Sequence, residues 1–156
     1  MNARKILYAT DFSTMSDTAL ELATSLAREQ GGTLLIVHVE EPPAAYGGVA
    51  FDYRPEDPRE EVLRMLKEVV PTDISVPFEH RLIVGLPAPA ILDLARRENV
   101  DLIVLATHGR TGLARVVMGS VAEEVVRKAK CPVLTIKPAV AAVAANRSTA
   151  ACAAPA

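Results

Sequence analysis

Several absences narrow what this 156-residue chain can do. It has two cysteines, Cys131 and Cys152, which is no disulfide framework, and Cys131 before an apolar run reads as a small buried hydrophobe. Its three histidines, His38, His80 and His108, stand apart from any cysteine or carboxylate cluster of metal-ligand spacing. A formal charge of −2 and a pI near 5.9 supply no basic stripe, so nucleic acid is not an expected partner. No apolar run approaches the roughly 18 residues a membrane helix needs, and the apolar stretch near the start, Ile6 to Ala9, is too short for a secretory signal. The expected location is therefore cytoplasmic, with no membrane partner. GxxxxGK[ST], GxGxxG after the first strand and GxSxG are all missing, which excludes a standard phosphate loop, a standard dinucleotide fold and a hydrolase elbow.

What is present alternates between two periods. KILYAT (5–10), TLLIVHV (33–39), residues 75–84, DLIVLA (101–106) and PVLTIK (132–137) read as strands, and TLLIVHV is near-continuously apolar, as in a parallel sheet covered on both faces. Between them lie helical patterns over roughly 14–30, 58–70, 85–97 and 120–129. Ser13 offers a cap to the first of these, Gly31-Gly32 ends it, and Pro87 and Pro89 suit the start of the third. On the second helix Val62, Leu63, Leu66, Val69 and Val70 are expected on one face, and on the fourth Val121, Ala122, Val125, Val126 and Ala129. Within the second strand run, His38 reads as a hydrogen-bonded structural residue. Five strands alternating with four helices predict one α/β domain, an open parallel sheet with helices on both faces. Residues 41–57, rich in proline and glycine with Tyr46, Phe51 and Tyr53, form a long loop, either a flap over a ligand or a variable insertion. Residues 139–156 are a low-complexity alanine tract, read as a poorly ordered tail or a short docked helix.

The stretch from Leu105 to Ser120, LATHGRTGLARVVMGS, combines a strand end, a loop with glycines at 109, 112 and 119, and a Gly-Ser pair opening a helix. Glycines allow close approach of backbone N–H groups to an oxyanion, and a helix N-terminus adds donors and a favourable dipole. In open parallel sheets ligands sit where the strand order reverses. If the first and fourth strands are neighbours, two segments converge there, Thr10-Asp11-Phe12-Ser13 after the first and Ala106 to Gly112 after the fourth. The carboxylate of Asp11 suits a ribose or base, and Arg110 suits phosphate.

In order, KILYATDFS, LLIVHVEE, GLPAPAI and DLIVLATHGRTGLARVVMGSVAEEVVRKAKCPVLTIKP resemble the universal stress protein family over residues 4–138. The resemblance implies a Rossmann-like sheet of order 3-2-1-4-5, related to the adenine nucleotide alpha hydrolase fold, with a domain over 1–138. It also implies the spaced motif Gx2Gx9G[ST] of the nucleotide-binding branch. Gly109 is its second glycine, Arg110 to Met118 are the nine spacer residues, and Gly119-Ser120 complete it. Ala106 stands in place of the first glycine, a neutral exchange in a strand conformation and a costly one at positive φ. By resemblance Gly109, Gly119 and Ser120 meet phosphates, Asp11 and Val39 the adenosine end, and His108, Arg110 and Val121 line the pocket. Gly112 belongs to the HGRTG form of the loop.

The implied ligand is an adenine nucleotide, ATP first, with Mg2+ as a candidate companion. The implied role is a stress-response regulator with at most slow hydrolysis, since neither Asp11 nor His108 has an activating partner in the sequence. A nucleotide-independent interaction module is the other reading. Under both, a homodimer through strand 132–137 is expected, with Val133, Leu134 and Ile136 at the sheet edge.

Overall fold

Alternate residues of the three central strands go to opposite layers, and this sorting builds the domain. The computed structural model describes residues 4–42, 58–107 and 118–137. Its elements run β1 (Lys5–Ala9), a 3-10 turn (Thr14–Ser16), α1 (Asp17–Gln30), β2 (Thr33–Glu40), α2 (Pro58–Glu68), β3 (Phe78–Val84), α3 (Pro87–Arg97), β4 (Leu102–Ala106), α4 (Ser120–Lys128) and β5 (Val133–Ile136). All pairings are parallel, as the apolar strand runs predict, and the order is β3-β2-β1-β4-β5, as the family resemblance implies. Ile6, Tyr8, Leu34, Ile36 and Val104 pack with Ala19, Ala23, Ala27 and Leu66 on the α1/α2 side. Leu7, Leu35, Val37, Ile103 and Leu105 pack with Ala88, Ile91, Ala122 and Val125 on the α3/α4 side. A period of two with both faces apolar is what a strand buried between helix layers requires.

The register of β1 against β4 is pinned at the sheet's N-terminal end. Asp101 accepts hydrogen bonds from the backbone N–H groups of Arg4 and Lys5, each at 2.9 Å. Lys5 Nζ lies 2.7 Å from Glu98, whose carboxyl is held below its ordinary range by that hydrogen bond and charge. At the end of α1, Gly31 takes φ 58 and the Gly32 N–H bonds back to the Ala27 carbonyl at 2.8 Å. The left-handed turn there favours glycine, and the helix stops where expected.

Several boundaries move for local reasons. Ser13 caps no helix: its N–H and Oγ both bond to Asp11 Oδ1, so the chain makes a side-chain-braced turn and a 3-10 turn before α1 begins at Asp17. The third strand starts at Phe78 rather than 75, because Ser75 bonds through its N–H and Oγ to Asp73 in another such turn. The second helix ends at Glu68, two residues short of expectation, ahead of Pro71. Leu63 is 36% exposed, Val70 43% and Val126 46%, so these three leave the inward faces assigned to them. The inward stripes are narrower, centred on Leu66 in α2 and on Ala122 and Val125 in α4.

The 139–156 tail, most of the 41–57 loop and the HGRTG segment lie outside the described residues. No described helix is long and apolar enough to cross a membrane. Cys131 is half-buried, and burial with the nearby Asp101 charge pushes its thiol pKa up, in keeping with a packing role.

Ile103 is fully buried between β1 and β5 on the α3/α4 side. Replacing it with alanine is expected to cost about 2–5 kcal/mol. In urea titrations this appears as a lower midpoint at unchanged slope.

Candidate functional site

The reversal of strand order between β1 and β4 opens a cavity of about 570 Å³ at the carboxyl ends of the strands. Three chain segments that are distant in sequence line it: Thr10 to Phe12 after β1, His38 to Glu41 at the end of β2, and Leu105 to Thr107 closing β4. The first turn of α4 supplies Gly119 to Ala122, α2 adds Val62 and Met65, and α3 adds Pro87 and Ile91. A second hollow of about 460 Å³ lies between the C-terminal halves of α3 and α4, around Cys131. It gathers none of the predicted site residues.

The β1 side of the cavity is braced by polar contacts. Thr10 continues the ladder beyond β1, its N–H bonding to the Val37 carbonyl at 2.9 Å. Its Oγ1 accepts the Phe12 N–H at 3.0 Å and lies 3.3 Å from Ser16 Oγ. Asp11 Oδ1 receives the Ser13 N–H at 3.0 Å and its Oγ at 2.6 Å, which fixes the carboxylate at the cavity wall. Beneath the turn, Tyr8 donates its hydroxyl to the Ser16 carbonyl at 3.0 Å, and burial raises its pKa. His38 is hydrogen-bonded, as its sequence context predicts: its Nδ1 lies 2.8 Å from the Thr10 carbonyl and its ring stacks on Phe12.

The opposite wall is backbone. Gly119 is the N-cap of α4 and makes no side-chain cap, so the first-turn N–H groups of Ser120, Val121 and Ala122 receive none. Gly119 donates its own N–H to the Thr107 carbonyl at 2.7 Å, tying the start of α4 to the end of β4. Its φ is −70°, which any residue adopts, so the glycine answers to space: a Cβ there would sit 3.2 Å from the Thr107 carbonyl oxygen. Ala106 closes β4 in register with Ile136 and lies outside the positive-φ set. The strand conformation makes alanine a mild exchange for glycine at that position.

Thr10, Asp11, Val39, Ala106, Gly119, Ser120 and Val121 are therefore brought to one cavity. His108, Gly109, Arg110 and Gly112 lie outside the described residues. Sequence reasoning missed Val62, Met65 and Ile91 as lining residues, placed Phe12 at the switch point without a role, and read His38 only as structural. An aromatic set between Asp11 and Ser13 in a polar turn was a signal. For Val62 and Met65 the signal was their i, i+3 spacing on an edge of the α2 stripe.

The two small-residue positions separate by experiment, although each exchange changes one methyl group. Gly119→Ala forces a Cβ against Thr107 and is expected to destabilise by about 1–3 kcal/mol. Ala106→Gly loosens a strand and is expected to cost about 0.5–1 kcal/mol. Urea unfolding of both variants checks the order.

Comparison with known proteins agrees with this geometry. The model of the universal stress protein family matches residues 2–137. Universal stress protein MJ0531 of Methanocaldococcus jannaschii is 34% identical over 139 residues, spanning 86% of this chain and 82% of that protein. A universal stress protein of Thermus aquaticus is 35% identical over 135 residues, spanning 86% of this chain and 98% of its own length. Among solved structures, the universal stress protein of Archaeoglobus fulgidus in complex with dAMP superposes with a TM-score of 0.64 at 26% identity, covering 88% of this chain and 100% of that one. The structure of MJ0577, also from M. jannaschii, gives a TM-score of 0.71 at 27% identity over 88% of this chain and 97% of that one. With its five-stranded order, its switch-point cavity and a family match over nearly the whole described fold, this chain belongs to the universal stress protein family.

Proposed function

We propose that the chain binds an adenine nucleotide, ATP first, in the cavity between β1 and β4, and works in the cytoplasm as a stress-response regulator. The observation that carries this reading is the meeting of unlike chemistries in one cavity. A braced carboxylate, Asp11, faces one end, and a helix N-terminus without a side-chain cap faces the other. Thr10, Asp11 and Val39 suit the ribose and base; the first-turn N–H groups of α4 and Gly119 suit phosphate oxygens. The volume of about 570 Å³ falls in the range of small-molecule and cofactor sites. The dAMP held by the A. fulgidus relative supports the ligand class.

The spaced motif adds Gly109, and the loop around it contributes His108, Arg110 and Gly112. Mg2+ would enter with the phosphates, which supply much of its oxygen shell. Asp11 Oδ1 accepts two hydrogen bonds from Ser13, which hold the carboxylate as a fixed acceptor for a ligand hydroxyl or amino group. At most slow hydrolysis is expected, because cradling phosphates alone supplies neither a positioned water nor a base.

Denaturing the purified protein and chromatographing the supernatant is expected to release adenine nucleotide, and calorimetry is expected to give heat with ATP. Saturation at 100 times Kd would add about 2.7 kcal/mol of stability. Asp11→Ala and Gly109→Val should each remove that stabilisation. No released nucleotide and no heat at about 1 mM ATP, the concentration matching a binding energy near −4 kcal/mol, overturns the reading.

The interaction-module reading has its own support at the β5 edge. The carbonyls of Pro132 and Ile136 bond inward to β4, through the N–H groups of Ile103 and Thr107. Backbone groups alternate in direction along a strand, so those of Val133 and Thr135 face the open edge. A two-fold mate pairing there would hide it. Thr135→Pro removes an edge donor without touching the β4 ladder. Sedimentation is expected to show a dimer for the native chain and for Thr135→Val, and a monomer for Thr135→Pro.

A further inference from the structure

We infer that His38 and Phe12 form a clamp that holds the Asp11 turn in its ligand-ready shape, and that both are positioning residues of the cavity. The inference rests on the nucleotide reading above and deepens it. Phe12 has φ 63, one of two described non-glycine residues at positive φ, the other being Asn99. For a bulky aromatic this conformation is strained, and it persists only where its surroundings over-determine it.

Those surroundings are visible. The rings of Phe12 and His38 stack with centroids 4.1 Å apart and planes 30° apart. His38 Nδ1 lies 2.8 Å from the Thr10 carbonyl oxygen. A carbonyl only accepts, so Nδ1 carries the proton; this fixes the Nδ1–H tautomer in the neutral ring. The Phe12 N–H is held by Thr10 Oγ1 at 3.0 Å. One imidazole thus grips the turn at two points, the carbonyl before Asp11 and the ring after it. The left-handed residue reverses the chain at that point, so Asp11 ends on the cavity wall with Ser13 folded back onto its Oδ1.

The clamp differs from ordinary packing in one consequence. Glycine adopts positive φ without strain, so a chain carrying Phe12→Gly needs the clamp far less. His38→Leu keeps the bulk and removes the donor; His38→Asn keeps a donor near the Nδ1 position.

The test measures ATP affinity and backbone conformation in the full chain. In the native background His38→Leu is expected to raise the Kd for ATP by about tenfold or more, His38→Asn to recover most of the loss, and in the Phe12→Gly background His38→Leu to change Kd by less than about threefold. Equal losses in the two backgrounds, or no loss in the native one, overturn the clamp. NMR of the ligand-free protein gives a second readout, through the histidine ring nitrogens and the backbone couplings and shifts of residue 12. Native protein is expected to show the Nδ1–H tautomer and positive φ at Phe12, with φ turning negative in His38→Leu. Positive φ retained in His38→Leu overturns the clamp even where ATP binds. Absence of ATP binding by native protein, with the φ change still present in His38→Leu, overturns the nucleotide reading and leaves the clamp standing.

Discussion

Everything in this fold depends on one strand pairing in both directions. β1 is hydrogen-bonded to β2 on one side and to β4 on the other, and the chain reaches those neighbours by crossovers that travel opposite ways. Parallel strands need helical crossovers; the chain steps outward from β1 to β2 to β3 and then crosses back past β1 to β4, and right-handed crossovers running in these opposite directions place helices on opposite faces of the sheet. The loops after β1 and β4 then splay apart, and a cavity opens between them without any residue selected to make it. Asp101, far away at the other end of the sheet, helps set how those ends meet by gripping the backbone of Arg4 and Lys5. A shift in that register would carry Asp11 along the cavity wall.

The cavity divides labour between side chains and backbone. On the β1 side, hydroxyls and a carboxylate brace each other: Thr10, Asp11, Ser13 and Ser16 form a linked set above buried Tyr8. On the β4 side the work is done by main-chain N–H groups, and the requirement on sequence is for little bulk. Gly119 meets it by leaving room for the Thr107 carbonyl, and Ala106 meets it from a strand that tolerates a methyl. The two walls therefore tolerate different substitutions, the first sensitive to lost polar atoms and the second to added carbon.

The strands were legible in the sequence from their apolar runs, their order from the family resemblance, and of the cavity lining Thr10, Asp11, Val39, Ala106, Gly119, Ser120 and Val121. TLLIVHV and DLIVLA announce strands buried on both faces, and the family resemblance joins them to a glycine-spaced motif. What was not legible is local competition. Ser13 reads as a helix cap, yet its hydroxyl finds Asp11 two residues back, and no periodicity distinguishes those choices. Leu63, Val70 and Val126 fall near the apolar stripes of their helices, but only the packed partner decides how wide a stripe is covered. His38 was recognised as hydrogen-bonded, while its partners, a carbonyl 28 residues earlier and the ring of Phe12, belong to another strand's end. Contacts across that separation are fixed by sheet register, which a single sequence does not display.

The hydrogen bond from Gly119 to Thr107 joins the start of α4 directly to the end of β4, with donor and acceptor 2.7 Å apart. Thr107 in turn donates its own N–H to the Ile136 carbonyl at 2.8 Å, at the end of β5. The edge strand and the backbone wall of the cavity therefore hang on one short relay of main-chain atoms. Apart from proline, no side-chain substitution along it deletes a linking atom, so what happens at the sheet edge and what happens in the cavity are mechanical neighbours.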